Sequence, residues 1–270
     1  MMELCGSYSI YIPGGNNTAL VNGLGYTPAE RKIINDKIMA DNPDVEQVGF
    51  VDKNLGVFEL KMAGGEFCGN ATRSAAHFYM DGKPGELNIK INNKVVKAGV
   101  LENGDAWCEI PLIDDRSKMV EKISENIYKV LMDGMVTLVI LEEEAKHYLQ
   151  DKSNIKAEAM KLIEKYNLKD SEAVGVMFLE QVNGTIKINP IVWVNAIDTL
   201  FYETACGSGT TATAVVKSFL IGKDGSYEIL QPSGYSITAI VKFENNTAQS
   251  VRICGVVDTD NVCKEFVVSM

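Results

Sequence analysis

Apolar and polar positions alternate along most of this chain, and turn residues break the alternation at short intervals. Residues 4–12, 47–51 and 56–62 read as strands on this pattern. Residues 86–91 and 94–101 flank Asn92-Asn93, a hairpin signal, and residues 107–111 continue after the turn Glu102-Asn103-Gly104-Asp105. The second half repeats the style. Residues 135–141 form a buried-type apolar run, 174–182 and 186–194 flank Asn183-Gly184, and 235–243 and 250–257 flank Glu244-Asn245-Asn246.

Helical spacing replaces the alternation in a few places. Residues 70–80 and 208–221 are rich in Ala and other small residues, carry little charge, and end near Gly82 and Gly222. Helices of that composition bury on all sides, so sheet is expected around them. Residues 28–40 and one or two helices within 142–166 have a solvated face. The order strands, helix, hairpins thus occurs twice. That implies a weak internal duplication, cut in the polar stretch Asp114-Asp115-Arg116-Ser117-Lys118. The expected halves are residues 1–118 and 119–257, with a last strand at about 258–270 able to pack back on the first half.

At 270 residues, 46% hydrophobic and 23% charged, the chain has apolar mass for real cores. A formal net charge of −10 argues against nucleic acid or an anionic membrane as partner. No window has the apolar length of a membrane span, and the start has neither a basic region nor a long apolar run. A cytoplasmic location is expected. Cys5, Cys68, Cys108, Cys206, Cys254 and Cys263 are scattered, with no C-x-x-C. The only histidines, His77 and His147, lack ligand spacing to a cysteine, so neither a metal site nor a Cys-His nucleophile is expected.

Both small-residue helices open on a cysteine. Gly64-Gly65-Glu66-Phe67-Cys68-Gly69-Asn70-Ala71 and Glu203-Thr204-Ala205-Cys206-Gly207-Ser208-Gly209-Thr210 place two thiols 138 positions apart, each at a helix start. Unpaired N–H groups and the helix dipole favour thiolate there. A thiolate/thiol pair is suited to removing an α-proton from one face of an amino acid and returning one to the other. The remaining N–H groups at each helix start can hold a carboxylate and stabilise its enediolate. A reversible redox dithiol is the other chemistry two such thiols could perform.

These two motifs resemble the active-site motifs of the diaminopimelate epimerase family of cofactor-independent racemases and epimerases. The resemblance implies an α+β fold of two pseudo-symmetric domains. Each would be a β-barrel-like roll around a central helix, with the active site in the interdomain cleft. It implies no metal, pyridoxal phosphate or nucleotide. It implies Cys68 and Cys206 as the two acid/base groups, with Gly69, Asn70, Gly207 and Ser208 anchoring the substrate carboxylate. Asn16 in Gly14-Gly15-Asn16 and Gln47 in Glu46-Gln47-Val48 resemble two substrate-contacting residues of the family.

The departures bear on the substrate. Family members that act on diaminopimelate carry a Glu-Arg pair shortly before the second cysteine, whereas residues 195–202 here, Asn-Ala-Ile-Asp-Thr-Leu-Phe-Tyr, contain no Arg. A bidentate guanidinium clamp on a carboxylate has no substitute among Thr and Leu. The Asn of a Gly-Asn-Pro-His-like stretch is absent from Gly134-Met135-Val136-Thr137. Asp198, with Trp193, Asn195 and Tyr202, would suit a heteroaromatic or cationic side chain. Divergent members resembling histidine racemases have this kind of distal site, which makes histidine the expected substrate. Diaminopimelate and a non-catalytic amino-acid-binding role are the alternatives. A homodimer is the expected assembly.

Overall fold

The structure is a computed structural model describing residues 3–53 and 56–269. The chain is a mixed α+β, sheet-rich protein that divides into two compact units, Met1–Cys108 with Cys254–Met270, and Glu109–Ile253. Residue 270, the end of the expected last strand, lies outside the described residues.

The first unit runs β1 (Glu3–Pro13), β2 (Asn17–Asn22), α1 (Pro28–Asp41), β3 (Val45–Val51), β4 (Glu59–Met62), α2 (Gly69–Met80), β5 (Gly85–Ile91) and β6 (Lys94–Val100), and β7 (Ala106–Glu109) begins in it. Asn92-Asn93 closes the β5/β6 hairpin, Asn92 taking a left-handed φ of 55°. β2 lies parallel to β3 with Thr18 opposite Gln47. α2 buries every residue from Gly69 to Ala76, and its one full charge, Arg73, goes in with the rest.

The second unit holds β8 (Val120–Lys122), β9 (Ile127–Met132), β10 (Met135–Ile140), α3 (Glu142–Leu149), α4 (Ile155–Lys165), β11 (Ala173–Val182), β12 (Thr185–Val194), β13 (Thr199–Tyr202), α5 (Gly207–Ile221), β14 (Gly225–Leu230) and β15 (Ser236–Glu244). β16 (Thr247–Gly255) begins in it and ends in the first unit. The span 142–166 is two helices, because Asp151 accepts from the Ser153 N–H and turns the chain between them. Asn183-Gly184, at φ 51° and 82°, closes the β11/β12 hairpin. β10 and β11 are parallel strands flanked by antiparallel neighbours, and their apolar runs are buried throughout except at strand ends.

The last strand, β17 (Val257–Ser269), pairs antiparallel with β1 and puts Gly6 opposite Phe266. Phe266 fills the space a side chain at Gly6 would need and joins the core of the first unit with Tyr8, Ile34, Val48 and Phe50. β2, β8, β9, β13 and β14 were not anticipated from the pattern. They run three to six residues and most carry polar positions, so the alternation is too brief to mark them, although each pairs with a strand next to it in sequence.

Candidate active site

Each of the two cysteine motifs folds into the same local device. Cys68 is the N-cap of α2, with extended backbone, and its sulfur accepts the Ala71 N–H at 3.4 Å. Cys206 is the N-cap of α5 in the same conformation, and its sulfur accepts the Gly209 N–H at 3.2 Å. A thiol takes the place that Ser, Thr or Asp commonly fills. One turn on, the Thr72 hydroxyl donates to the Cys68 carbonyl at 2.7 Å and the Thr210 hydroxyl to the Cys206 carbonyl at 2.8 Å. These threonines tie down the first turns.

The surroundings of Cys68 are assembled from two strands, β2 and β3, and the turn before β2. The Cys68 S–H donates to Gln47 Oε1 at 3.3 Å. Gln47 Nε2 donates to Asn16 Oδ1 and to Thr18 Oγ1, both at 2.7 Å. Asn16 Nδ2 in turn donates to the Glu46 carboxylate at 2.5 Å. Gly14 and Gly15, at φ 64° and 90°, turn the chain so that Asn16 enters this buried cluster. The structure therefore brings Asn16, Gln47 and Cys68 together. Asn70, also buried, accepts from Arg73 through Oδ1 at 3.0 Å, and Gly69 faces the Cys108 thiol with its carbonyl.

The surroundings of Cys206 are more enclosed. Its backbone N–H donates to Oε1 of the buried Gln231 at 2.9 Å, and Gln231 Nε2 donates to Thr210 Oγ1 and the Ile229 carbonyl. The Cys206 and Ser208 side chains are 3.3 Å apart, and the Gly207 carbonyl accepts from Thr211. Burial pushes the Cys206 thiol well above its ordinary range; the charge and hydrogen bond of Glu203 push it further, against Ser208 and the Gly209 N–H. Cys206 is 1% exposed, whereas Cys68 is partly open.

Asp198 lies in the second unit, in the turn between β12 and β13. It is exposed, takes a left-handed φ of 50°, and accepts from the Trp193 indole N–H at 3.3 Å through Oδ1. No hydrogen bond among the described residues joins it to Cys206, Gly207 or Ser208. Trp193 and Tyr202 pack in or against the hydrophobic cluster of this unit, and the Tyr202 hydroxyl donates to the buried Asn189 at 2.6 Å.

Glu46, Thr18, Arg73, Glu203 and Gln231 complete these networks and were not singled out by sequence. For two of them a signal existed. Arg73 is a lone full charge in a helix that begins with small neutral residues, and Gln231 is an amide directly after Ile229-Leu230 and before the turn residues Pro232-Ser233-Gly234. Among the described residues no group of three or more His, Cys, Asp or Glu could hold a metal ion, and all six cysteines are free thiols.

Comparison with known proteins places the chain in a family. A histidine racemase of Fusobacterium nucleatum is 27% identical over 237 residues, covering 83% of this chain and 85% of that protein. A histidine racemase of Staphylococcus aureus is 24% identical over 226 residues, covering 78% and 80%. The fold is similar to that of a hydroxyproline epimerase from Agrobacterium vitis, with a TM-score of 0.63 at 12% identity over 99% of this chain and 92% of that one. It is also similar to methylitaconate-delta-isomerase, with a TM-score of 0.57 at 11% identity over 98% and 96%. The family described as the histidine racemase CntK N-terminal domain matches residues 7–265, and the chain belongs to that family of isomerases.

Proposed function

We propose that this chain racemises an amino acid at its α-carbon, with histidine as substrate, by exchange of protons between Cys68 and Cys206. The observation that carries the reading is the paired device. Each cysteine caps a helix of small residues, with a backbone N–H on its sulfur, in a chain of this family.

The chemistry balances without an external reagent. One cysteine, as thiolate, takes the α-proton. The C–H electron pair moves toward the carboxylate, which becomes an enediolate. The other cysteine, as thiol, delivers its proton to the opposite face of the same carbon. The product is the enantiomer, and the two sulfurs have exchanged protonation states. The reading needs one substrate between two matching halves, its α-carbon facing both sulfurs. N–H groups of the first turns at Gly69-Asn70 and Gly207-Ser208 would hold the carboxylate and carry the enediolate charge. Asn16 and Gln47 would orient the amino-acid head. Asp198 would accept from the imidazole N–H through Oδ2.

The test is solvent deuterium at the α-carbon in D₂O, with an amino-acid panel that includes both histidine enantiomers and diaminopimelate. Histidine should exchange and interconvert. Cys68→Ser and Cys206→Ser should each lower racemisation by at least about a hundredfold, the scale of a lost general acid or base. Asp198→Asn should raise KM for histidine more than it lowers kcat. Exchange at an undiminished rate in both cysteine variants sinks the mechanism, and exchange of diaminopimelate but not histidine sinks the substrate.

A further inference from the structure

We propose that Arg73 is a positioning residue and the buried counter-charge of the Cys68 helix: it holds the Asn70 amide in one orientation and stabilises negative charge at the start of α2. The proposal rests on the racemase reading for its purpose, though its main test requires no substrate.

Arg73 lies one turn after Cys68 and is 0% exposed. No carboxylate lies within ion-pair distance of it among the described residues. Its guanidinium donates to Asn70 Oδ1 at 3.0 Å and to the Gly255 carbonyl at 3.2 Å, and its buried Nε has no partner. A cation so placed is costly to bury, and two neutral acceptors do not offset that cost. The groups that act on its charge are the Cys108, Cys254 and Cys68 thiols and Asp105. Burial pushes the guanidinium below its ordinary range, these groups pull it back, and arginine keeps its proton in proteins.

Two consequences follow. First, the Arg73 guanidinium on Oδ1 fixes which way round the Asn70 amide sits, with its oxygen toward the cation. Second, the cation favours thiolate at Cys68. Other groups on the neighbouring elements act against it: Glu46 reaches Cys68 through Asn16 and Gln47, Glu66 stands two residues away, and Gln47 presents its oxygen to the S–H. On deprotonation the Gln47 amide must turn to offer Nε2. The α5 motif has no such cation. Thr211 stands at the position matching Arg73, and Glu203 places negative charge beside Cys206. The cation is therefore on one side only.

The experiment reads the pH dependence of iodoacetamide alkylation of Cys68 by peptide mass spectrometry in the folded chain, with the exposed Cys5 as internal reference. In the wild type the Cys68 midpoint should lie below that of Cys5. Arg73→Met should raise it by at least about one pH unit, a tenfold loss of thiolate at neutral pH. Arg73→Lys should restore most of the shift, and Arg73→Met should raise KM for histidine through loss of the Asn70 orientation. A wild-type midpoint at or above that of Cys5 overturns the proposal without any variant, even if Arg73→Met fails to fold. So does a folded Arg73→Met with an unmoved midpoint, or an Arg73→Lys as shifted as Arg73→Met. A low Cys68 midpoint in a chain that exchanges no amino acid would overturn the racemase reading alone.

Discussion

At the scale of single residues, the two cysteines share a cap geometry and differ in electrostatics. Cys68 accepts an N–H, is partly open, and has a buried guanidinium on its own helix; Cys206 is fully enclosed with a carboxylate beside it. The folded state holds the Cys206 proton more tightly than the unfolded chain does. Stability from this site is then fully present below the ordinary thiol pKa, about 8.5, and is lost as pH rises from there toward the higher folded value. Wild type should accordingly lose stability in urea on going from neutral pH to pH above about 9 more steeply than Cys206→Ser, with Glu203→Gln in between. Parallel pH profiles for all three would remove the electrostatic account of Cys206.

At the scale of elements, the helix starts depend on small residues for different reasons. Ala71 and Gly209 occupy matching positions and donate to matching sulfurs, yet only the first carries a Cβ. A Cβ at Gly209 would meet Met177 Sδ at 2.3 Å and Cys206 Sγ at 3.2 Å. Met177 is fully buried on β11, so it cannot simply swing away. Gly209→Ala should cost about 1–3 kcal/mol in chemical denaturation and reduce racemisation by displacing the N–H from Cys206. Adding Met177→Ala should recover part of the activity; a Gly209→Ala enzyme with full activity and stability would show that the fit is loose. The hairpins show how legible elements can be. Asn92-Asn93 and Asn183-Gly184 announce left-handed residues, and two-residue turns between strands were found there. β2 and β13 announce nothing comparable, because they are only six and four residues long and are reached through connections longer than a two-residue turn.

At the scale of the whole molecule, the first unit is closed by a strand from the far end of the chain. β1 and β17 pair along almost their whole lengths, so this unit cannot complete its core until the last residues are present. Contacts of such sequence separation are slow to form. Phe266, 3% exposed and opposite Gly6, is the apolar anchor of that closure. Phe266→Ala should cost about 3–5 kcal/mol, read from the urea midpoint of the first unit, since the space around Gly6 cannot collapse without moving β1. A loss under about 1 kcal/mol would place the anchor elsewhere along β17.

The sequence by itself determined the thiol caps at the two helix starts. A cysteine followed by glycine and small residues specifies a thiol cap, and that device needs only four or five consecutive residues. It also carried the absence of an arginine between positions 195 and 202, which separates this chain from a clamp on a second carboxylate. The tertiary structure decided what each thiol touches. Gln47 and Asn16 reach Cys68 through the β2/β3 register and a double-glycine turn, Gln231 reaches the Cys206 N–H from 25 residues away, and Asp198 turns to Trp193. Arg73 was visible as a charge, but only packing made it a buried one. Side-chain networks are set by which strands pair and in what register, a property of long-range contacts that no local spacing records.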